Sequence, residues 1–281
     1  MTSAPTPAPE ALVRAADALR ESTALVIAAG AGMGVDSGLP DFRGDQGFWN
    51  AYPPYAKLGL SFADLANPAW FTRDPGLAWG FYGHRLALYR ATKPHAGFAI
   101  LDRWASARPH GGFVFTSNVD GQFQRAGFAE ARIVECHGAL DWLQCTRACG
   151  VGLLRADRFH PAVDEATFRA VGVLPACPKC GGLLRPNVLM FGDYGWDDAR
   201  EQAQARRFEA WLSALGDARL VVVECGAGTG VPTVRATCER LARTRGATLV
   251  RINVREPAVP PGHVGVPMGA LAALTALDAA L

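Results

Sequence analysis

Four short apolar runs, each ending in glycine or polar residues, constrain the fold of this chain more than any other feature. We interpret them as buried parallel strands at residues 24–29, 112–117, 219–224 and 247–252. Patterns of helical length separate or follow them, at residues 75–91, 95–106, 197–215, 232–245 and 269–280. Strands that alternate with helices predict an α/β fold, here a Rossmann-like parallel sheet with helices on both faces.

Two segments interrupt this alternation and predict a second, smaller domain beside the sheet. Residues 44–92 are rich in aromatic side chains, and residues 140–190 carry two close pairs of cysteines. We expect the first to supply a helical module and the second a cysteine-rich ribbon. The larger domain is then discontinuous, built from residues 21–43, 93–139 and 191–281.

The composition is that of an ordinary globular protein and argues against two classes of partner. With 281 residues, 49% hydrophobic and 19% charged, the chain is long enough for one large core and a smaller module. A net charge of +2, from 28 basic and 26 acidic residues, does not indicate a nucleic acid partner. Residues 1–9, rich in Ala, Pro and Thr, are expected to be disordered. Since we find neither a signal peptide nor an apolar run of membrane length, we expect a cytoplasmic protein without a membrane partner.

The spacing of the cysteines indicates a metal site. Cys145 and Cys149 form one close pair, Cys177 and Cys180 form another, and 27 residues separate the pairs. Four thiolates at this spacing favour one tetrahedral, structural zinc ion over a catalytic one, because no coordination position stays open. Four unligated buried thiols are the alternative, which the polar, glycine-rich setting disfavours. The remaining cysteines stand alone in apolar surroundings and are interpreted as core residues: Cys136, Cys225 and Cys238.

A glycine-rich stretch begins where the first predicted strand ends. In "GAGMG", residues 30–34, Gly30 and Gly32 would let the backbone approach a pyrophosphate. The third glycine of the Rossmann fingerprint would fall at position 35, which holds Val35. Glycine-rich turns after strands are common, so this pattern alone leaves both a nucleotide site and a plain turn open.

Polar residues also follow the second predicted strand. Asn118 and Asp120 stand at its carboxyl end, and His137 ends another short apolar run. Asn118 and Asp120 could serve a nucleotide site or simply form a turn and cap the next helix. For His137 a structural hydrogen-bonding role is the common one, but an ordinary pKa near 6.5 also suits a general base.

Taken in order, these stretches resemble the sirtuins, the NAD-dependent protein deacylases. The resemblance covers about residues 21 to 274 and includes both cysteine pairs. Its motifs are "GAGMGVDSGLPDFRG", "TSNVDG", "CHGAL", "GGLLRPNVLMFGD", "ECGAGTGVP" and "RIN". It implies NAD as co-substrate, one structural zinc ion, and an acylated protein or peptide lysine as partner; we further expect a monomer.

The resemblance also implies which residues line NAD: Gly30, Ala31, Gly32, Asp41, Phe42, Arg43, Ser117, Asn118, Val119, Asp120, Gly226, Ala227, Gly228 and Asn253. Phe42 would shield the anomeric carbon, and Asn253 would contact the adenosine ribose. Asn118 and Asp120, expected to be catalytic together with His137, would lie near the ribose and the nicotinamide amide.

The implied chemistry is rupture of the nicotinamide–ribose bond rather than hydride transfer. The acyl-lysine carbonyl oxygen attacks the anomeric carbon, which releases nicotinamide and gives an alkylimidate. His137, as general base, then activates the ribose hydroxyls so that the 2′-oxygen attacks the imidate carbon. The products would be free lysine, nicotinamide and O-acyl-ADP-ribose.

The same resemblance extends to the peptide and its acyl group. An extended peptide would add as a strand along a wall that includes Val188, Phe191 and Gly192. Tyr82 and Arg85 match the Tyr-x-x-Arg arrangement with which the desuccinylase and demalonylase branch recognises an acyl carboxylate, and an Arg fork with a Tyr hydroxyl suits that ligand. Alternatively, the two residues share one edge of an amphipathic helix simply because they are three positions apart.

Three departures from the family pattern cluster around the cofactor and the peptide channel. Ser117 replaces the usual Gln, Gly226-Ala227-Gly228 replaces Gly-Thr-Ser, and Gln122-Phe123 replaces Leu-His. The second removes two hydroxyls that could bind phosphate and leaves backbone donors. A protein ADP-ribosyltransferase, an NAD hydrolase and a non-catalytic NAD-binding module therefore stay as alternatives to the deacylase.

Overall fold

A parallel sheet of six strands organises the computed structural model, which describes residues 9–40, 48, 50–164 and 166–281. Three predicted cofactor residues, Asp41, Phe42 and Arg43, lie outside the described residues, as do residues 1–8 of the segment expected to be disordered. The described strands are β1 (Ala24–Ala29), β2 (Gly112–Thr116), β3 (Ile133–Glu135), β4 (Gly138–Cys145), β5 (Leu154–Arg155), β6 (Ala162–Asp164), β7 (Arg169–Val171), β8 (Leu184–Val188), β9 (Leu220–Cys225), β10 (Thr248–Ile252) and β11 (Val264–Val266).

The large sheet has the strand order β11-β10-β9-β1-β2-β3, with every neighbouring pair parallel. The four predicted strands are β1, β2, β9 and β10, so the predicted parallel sheet is confirmed. β3 is the short apolar run before His137. β11 was not predicted, because three residues are too few for an apolar run to stand out.

Helices cover both faces of this sheet. The described α-helices are α1 (Pro9–Glu21), α2 (Pro53–Lys57), α3 (Phe62–Leu65), α4 (Trp70–Arg73), α5 (Pro75–Ala91), α6 (Ala96–Ser106), α7 (Gln122–Arg125), α8 (Ala199–Ala214), α9 (Thr233–Arg245) and α10 (Ala270–Ala280). The five predicted helices are α5, α6, α8, α9 and α10, each within two residues of its predicted bounds. None of the helices described is both long enough and apolar enough to cross a membrane.

Alternate residues of β1 show how the sequence builds two cores. Leu25 and Ile27 pack with side chains of α1, α6 and α10 on one face of the sheet. Val26 and Ala28 pack with side chains of α8 and α9 on the other. All six residues of β1 are buried, because successive side chains of a strand point to opposite faces and both faces are covered.

A smaller region, the cysteine module, lies beside the sheet. It comprises α2 to α5, the antiparallel sheet β5-β4-β8, the hairpin β6-β7 and the cysteine pairs, around an apolar core rich in aromatic rings. The hairpin lies on α5 at two glycines. A Cβ atom on Gly80 would come 1.9 Å from the carbonyl oxygen of Phe168, and one on Gly83 would come 2.8 Å from Pro161.

Candidate active site

The main cleft opens where the strand order of the large sheet reverses, between β1 and β9. In open α/β sheets this is the place where ligands bind, because the loops at the carboxyl ends of the strands diverge there. The cleft has a volume of about 800 Å³. Its lining includes Gly30 and Ala31 after β1, Ser117 to Asp120 after β2, His137 before β4, and Gly226 to Gly228 after β9.

Two glycine loops form the floor of the cleft by direct backbone contact. The amide of Gly32 donates to the carbonyl of Gly226 at 3.0 Å, and the amide of Gly30 donates to the carbonyl of Cys225 at 3.0 Å. Gly226 has φ +65°, and a Cβ atom there would come 2.4 Å from the backbone of Gly32. The glycines that the sequence singled out therefore hold the two loops together, since no side chain fits between them.

Asn118 joins the end of β2 to the first glycine loop. Its side-chain amide donates to the carbonyl of Gly30 at 3.0 Å. Its backbone amide donates to the hydroxyl of Thr116 at 3.0 Å, and that hydroxyl in turn donates to the carbonyl of Ala29 at 2.9 Å. These bonds fix Asn118 at the cleft wall.

Asp120 combines both roles that the sequence left open. Its carboxylate accepts a hydrogen bond from the amide of Gln122 at 2.9 Å, at the start of α7, so it caps the turn. It also lines the cleft and is buried. Burial raises the pKa of Asp120 to about 6, because the charged form loses solvation.

His137 is half-buried and lines the cleft opposite Asn118 and Asp120. Burial lowers its pKa, although contact with the backbone of Ser117 partly opposes this shift. The imidazole is thus largely neutral near pH 7, as a general base requires. Its Nε2 atom lies 3.3 Å from the hydroxyl of Thr233, a residue that the sequence analysis did not single out.

Aromatic residues around Arg85 form part of the cleft lining. The Nε and one Nη atom of Arg85 donate to the Tyr89 hydroxyl at 3.0 and 2.8 Å. The guanidinium lies 5.1 Å from the ring centre of Phe81 and 5.7 Å from that of Phe62. Tyr82 is buried, and its hydroxyl has no hydrogen-bond partner among the described residues. Tyr82 and Arg85 thus share one helix face and also meet in the cleft.

The segment after β8 forms one wall of the cleft. Val188 and Phe191 line it, and 46% of Phe191 is exposed, whereas Gly192 is not part of the lining. Two backbone bonds hold this segment: the Leu189 amide donates to the His137 carbonyl at 3.0 Å, and the Phe191 amide donates to the Ala66 carbonyl at 2.8 Å.

Asn253 lies behind the cleft rather than in its lining. The side chain is buried, and its amide donates to the carbonyl of Ala227 at 2.8 Å. Its oxygen accepts from the amides of Arg255 and Glu256, both at 3.1 Å. It therefore shapes the loops after β9 and β10. Gly32 likewise lies outside the lining.

Thr229 and Glu256 form a polar pair in the cleft that the sequence analysis missed. The Thr229 hydroxyl donates to the Glu256 carboxylate at 2.6 Å. The two residues are 27 positions apart, on different loops, so no local pattern links them.

The four paired cysteines come together as the sequence predicts. Their sulfur atoms all lie within 4.8 Å of one another. The Cys145–Cys180 and Cys149–Cys177 distances are 3.6 and 3.5 Å. Tetrahedral zinc with Zn–S bonds of about 2.3 Å places sulfurs about 3.8 Å apart, so the set fits one structural zinc ion. The amides of Arg147 and Gly182 each face a cysteine sulfur at 3.4 Å.

Comparison with known proteins agrees with this site. The model of the Sir2 family matches residues 30–217. The chain is 36% identical over 248 residues to NAD-dependent protein deacylase 2 of Pyrobaculum aerophilum, covering 88% of this chain and 86% of that protein. It is 33% identical to the NAD-dependent protein deacylase of Aquifex aeolicus, covering 84% of this chain and 85% of the other.

Two solved structures share the fold across nearly the whole chain. A Sir2 homologue mutant in complex with ADP-ribose superposes with a TM-score of 0.71 at 26% identity, covering 95% of this chain and 94% of its own. A complex of a Sir2 homologue with NAD gives a TM-score of 0.70 at 26% identity, covering 95% and 93%. The chain therefore belongs to the Sir2 family.

Proposed function

We propose that this chain is an NAD-dependent protein-lysine deacylase that releases nicotinamide and O-acyl-ADP-ribose. The observation that carries the proposal is the convergence of Asn118, Asp120 and His137 on the two glycine loops in one cleft. The relatives that carry the name NAD-dependent protein deacylase support it.

Different residues of the cleft would contact different parts of NAD. The glycine loops would face the pyrophosphate with backbone N–H groups, since Gly226-Ala227-Gly228 offers no hydroxyl there. The ionised Asp120 carboxylate would accept from the nicotinamide amide, and Asn118 would orient the ribose beside Gly30. In the proton-transfer step His137 would take the proton of a ribose hydroxyl at its unprotonated ring nitrogen, and the oxygen would then attack the carbon that bears the acyl group.

Nicotinamide release from NAD, with and without an acetylated peptide, tests this proposal. We expect release to require the peptide and to be accompanied by loss of the acetyl group. His137→Ala should keep the fold and lower deacylation by about 100-fold or more, which is the usual contribution of a general base. His110→Ala, which alters an exposed histidine outside the cleft, is the matched control and should retain wild-type activity.

Three outcomes would contradict the deacylase. Nicotinamide release of equal rate without peptide would indicate an NAD hydrolase. Binding of NAD with no release under either condition would indicate a non-catalytic module. Transfer of ADP-ribose onto the peptide, seen as a mass increase, would indicate the transferase alternative.

We further infer that the enzyme prefers acidic acyl groups such as succinyl. Tyr82 and Arg85 both line the cleft. Burial raises the pKa of Tyr82, so its hydroxyl stays protonated and can donate, and it has no hydrogen-bond partner among the described residues. An acyl carboxylate would give this hydroxyl an acceptor and the Arg85 guanidinium a charge-assisted bond, which is about twice as strong as a neutral one.

The preference is tested by comparing the rates of acyl removal from two forms of one peptide, one with acetyl-lysine and one with succinyl-lysine. We expect wild type to remove succinyl faster. Arg85→Met should reduce desuccinylation by roughly tenfold or more while sparing deacetylation, because only succinyl presents a carboxylate. Tyr82→Phe, which removes only the hydroxyl, should act in the same direction with a smaller effect. An equal loss on both substrates would refute the carboxylate-recognition role.

A further inference from the structure

Thr233 contacts His137 from an element that is distant in sequence. It is the first residue of α9, directly after Pro232, and it lines the cleft. Its hydroxyl oxygen lies 3.3 Å from Nε2 of His137, across 96 positions of sequence.

The two nitrogens of the His137 ring have different surroundings. The Ser117 backbone contact raises the pKa of His137, which is the effect expected of a carbonyl oxygen that accepts a ring proton. Since Nε2 faces Thr233, we assign this carbonyl to Nδ1. The neutral ring then carries its proton on Nδ1, and the Nε2 lone pair accepts a hydrogen bond from the Thr233 hydroxyl until that hydroxyl turns away and the lone pair takes the incoming proton.

Two features of the site oppose protonation of Nε2. Burial disfavours the imidazolium. The amino end of α9, a helix of 13 residues, carries partial positive charge. This charge disfavours the imidazolium form of the ring beside it. A hydroxyl oxygen 3.3 Å from Nε2 counteracts both, because it can accept a hydrogen bond from the protonated ring.

We propose that Thr233 is a positioning residue for His137: its hydroxyl holds the ring through Nε2 and accepts the Nε2–H bond once the ring has taken a proton. This inference rests on the proposed function, in which His137 is the general base. In the balanced step, the ribose O–H bond breaks and an Nε2–H bond forms, and Thr233 exchanges the role of donor for that of acceptor without gaining or losing a proton.

Three variants on α9 test the proposal. Thr233→Val replaces the hydroxyl by a methyl of similar size, and Thr233→Ser keeps the hydroxyl. Thr244→Val is the matched control, since Thr244 is exposed at the far end of the same helix and bonds only the Arg240 carbonyl among the contacts described. Deacylation is compared with exchange of labelled nicotinamide into NAD, which reports the earlier bond rupture that needs no base.

We expect Thr233→Val to lower the deacylation rate by roughly fivefold and to change nicotinamide exchange by less than about twofold. Thr233→Ser should restore most of the deacylation rate, and Thr244→Val should behave as wild type. Equal losses of deacylation and exchange in Thr233→Val, or failure of Thr233→Ser to restore the rate, would overturn the role of the hydroxyl.

An NMR titration of the His137 ring gives a readout that does not depend on activity. Assignment is direct, because the chain has six histidines and His137→Ala removes one signal. Bonds from a charged donor are stronger than neutral ones, so loss of the hydroxyl should lower the His137 pKa by about half a unit. An unchanged pKa in Thr233→Val would refute the contact. A wild type without deacylation would instead refute the proposed function, with this titration still deciding on Thr233.

Discussion

The large sheet and the cysteine module are held together by different means. In the sheet, β1 and β9 pair along their whole length, and their main-chain groups bond to neighbouring strands. In the module, β4 pairs with β8, but the hairpin strands are only three residues long, and helix side chains also bond to loop carbonyls. Arg90 donates to the carbonyls of Phe159 and Ala156, at 2.7 and 2.8 Å, and the Tyr55 hydroxyl donates to the carbonyl of Phe168 at 2.7 Å.

This difference shows where the stability of each region originates. A parallel sheet covered on both faces satisfies its main chain internally, so apolar residues at the right period are sufficient. Loops have no such ladder, so their buried polar groups need partners from elsewhere in the chain. The cysteine module therefore depends on several long-range connections, and we expect the zinc site to contribute the most.

Cys177→Ser gives the largest effect that we expect. Structural zinc sites contribute about 10 kcal/mol or more to folding, so loss of one thiolate should release the metal and unfold the cysteine module. Amides of β4 and β8 should lose protection from hydrogen exchange, while those of β1 and β9 keep it. Deacylation should be lost as well, because β8 leads into the cleft wall at Val188.

A matched cysteine in the sheet region serves as the control for this experiment. Cys238 lies on α9, and its side chain is fully buried in the apolar core between this helix and the large sheet. Cys238→Ala should retain one zinc ion per chain and lower stability by about 1 kcal/mol. Wild-type protein that purifies without zinc, or Cys177→Ser with full β4 protection, would contradict the dependence of the module on metal.

Gly80→Ala should show that the hairpin depends on close packing against α5. Ala normally stabilises a helix by about 1 kcal/mol relative to Gly. Here the added Cβ would come 1.9 Å from the Phe168 carbonyl oxygen, so the clash outweighs that gain and we expect a loss of about 2–4 kcal/mol. The midpoint of thermal unfolding of the module measures it.

Gly76→Ala on the same helix is the matched control. Its Cβ would meet the flexible end of Arg169 at 3.3 Å, the Asp74 carboxylate at 3.6 Å and the Ala170 carbonyl oxygen at an ordinary contact distance of 3.9 Å. This change should be neutral or slightly stabilising. If both variants lose stability equally, the backbone contact between Gly80 and Phe168 is not the cause.

Asp120 belongs to the large sheet region, where it follows β2, and it also lines the cleft. Its pKa of about 6 means that the carboxylate is ionised at pH 8 and becomes protonated as the pH falls through 6. Because the proposed site uses the ionised form, kcat/KM should fall about tenfold per pH unit below that value. Burial lowers the pKa of His137, which moves its protonation to lower pH.

A pH–rate profile of wild type and Asp120→Asn checks this expectation. The variant should be less active at pH 8 and should lose the decline near pH 6. Asp217→Asn, which alters an exposed carboxylate, should reproduce the wild-type profile. A wild-type rate that stays constant down to pH 5 would contradict the assignment.

The smallest effect concerns His95, which anchors the first glycine loop within the sheet region. Its Nδ1 atom accepts from the Gly97 amide at 3.0 Å and caps α6, while Nε2 bonds the Met33 carbonyl at 2.9 Å. The Nδ1 bond requires the neutral ring, whereas the Nε2–H group can donate to the Met33 carbonyl in either protonation state. Burial lowers the pKa of His95 in the folded protein, opposed by the Met33 carbonyl and the charge of Asp36.

The sign of the pH dependence follows from this lowered pKa. The stabilisation is fully present above the unfolded pKa of about 6.5 and is lost as the pH falls below it. We expect His95→Asn, which can still cap the helix, to be about 1 kcal/mol less stable at pH 8 and to approach wild type at pH 5.5. Urea unfolding at both values measures this; a difference that does not change with pH would contradict it.

The contrast between the regions also explains how far the sequence could be interpreted. The strands β1, β2, β9 and β10 and the five long helices were predictable, because their apolar periods are local. The zinc ligands were predictable from spacing alone. The hairpin on α5 was not, since it depends on Gly80 meeting a carbonyl 88 positions away, at Phe168.

Within the candidate site, too, residues with a local sequence pattern were predictable and residues that depend on distant contacts were not. Asp120 and His137 were found because each stands at the end of an apolar run. Thr233 and the Thr229–Glu256 pair were not, because their significance arises only when loops after different strands meet. The contact of Asn253 with NAD stays a prediction; in the structure its side chain bonds the loop at Ala227.

The products formed from NAD and a succinylated peptide test the central claim most directly. Mass spectrometry of one reaction should find deacylated peptide, nicotinamide and O-succinyl-ADP-ribose in equal amounts, because the acyl group moves to the ribose. Free succinate with unmodified NAD would indicate simple hydrolysis of the amide, and ADP-ribosylated peptide would indicate transfer. Either of these results, or an intact peptide with NAD bound, would contradict the account.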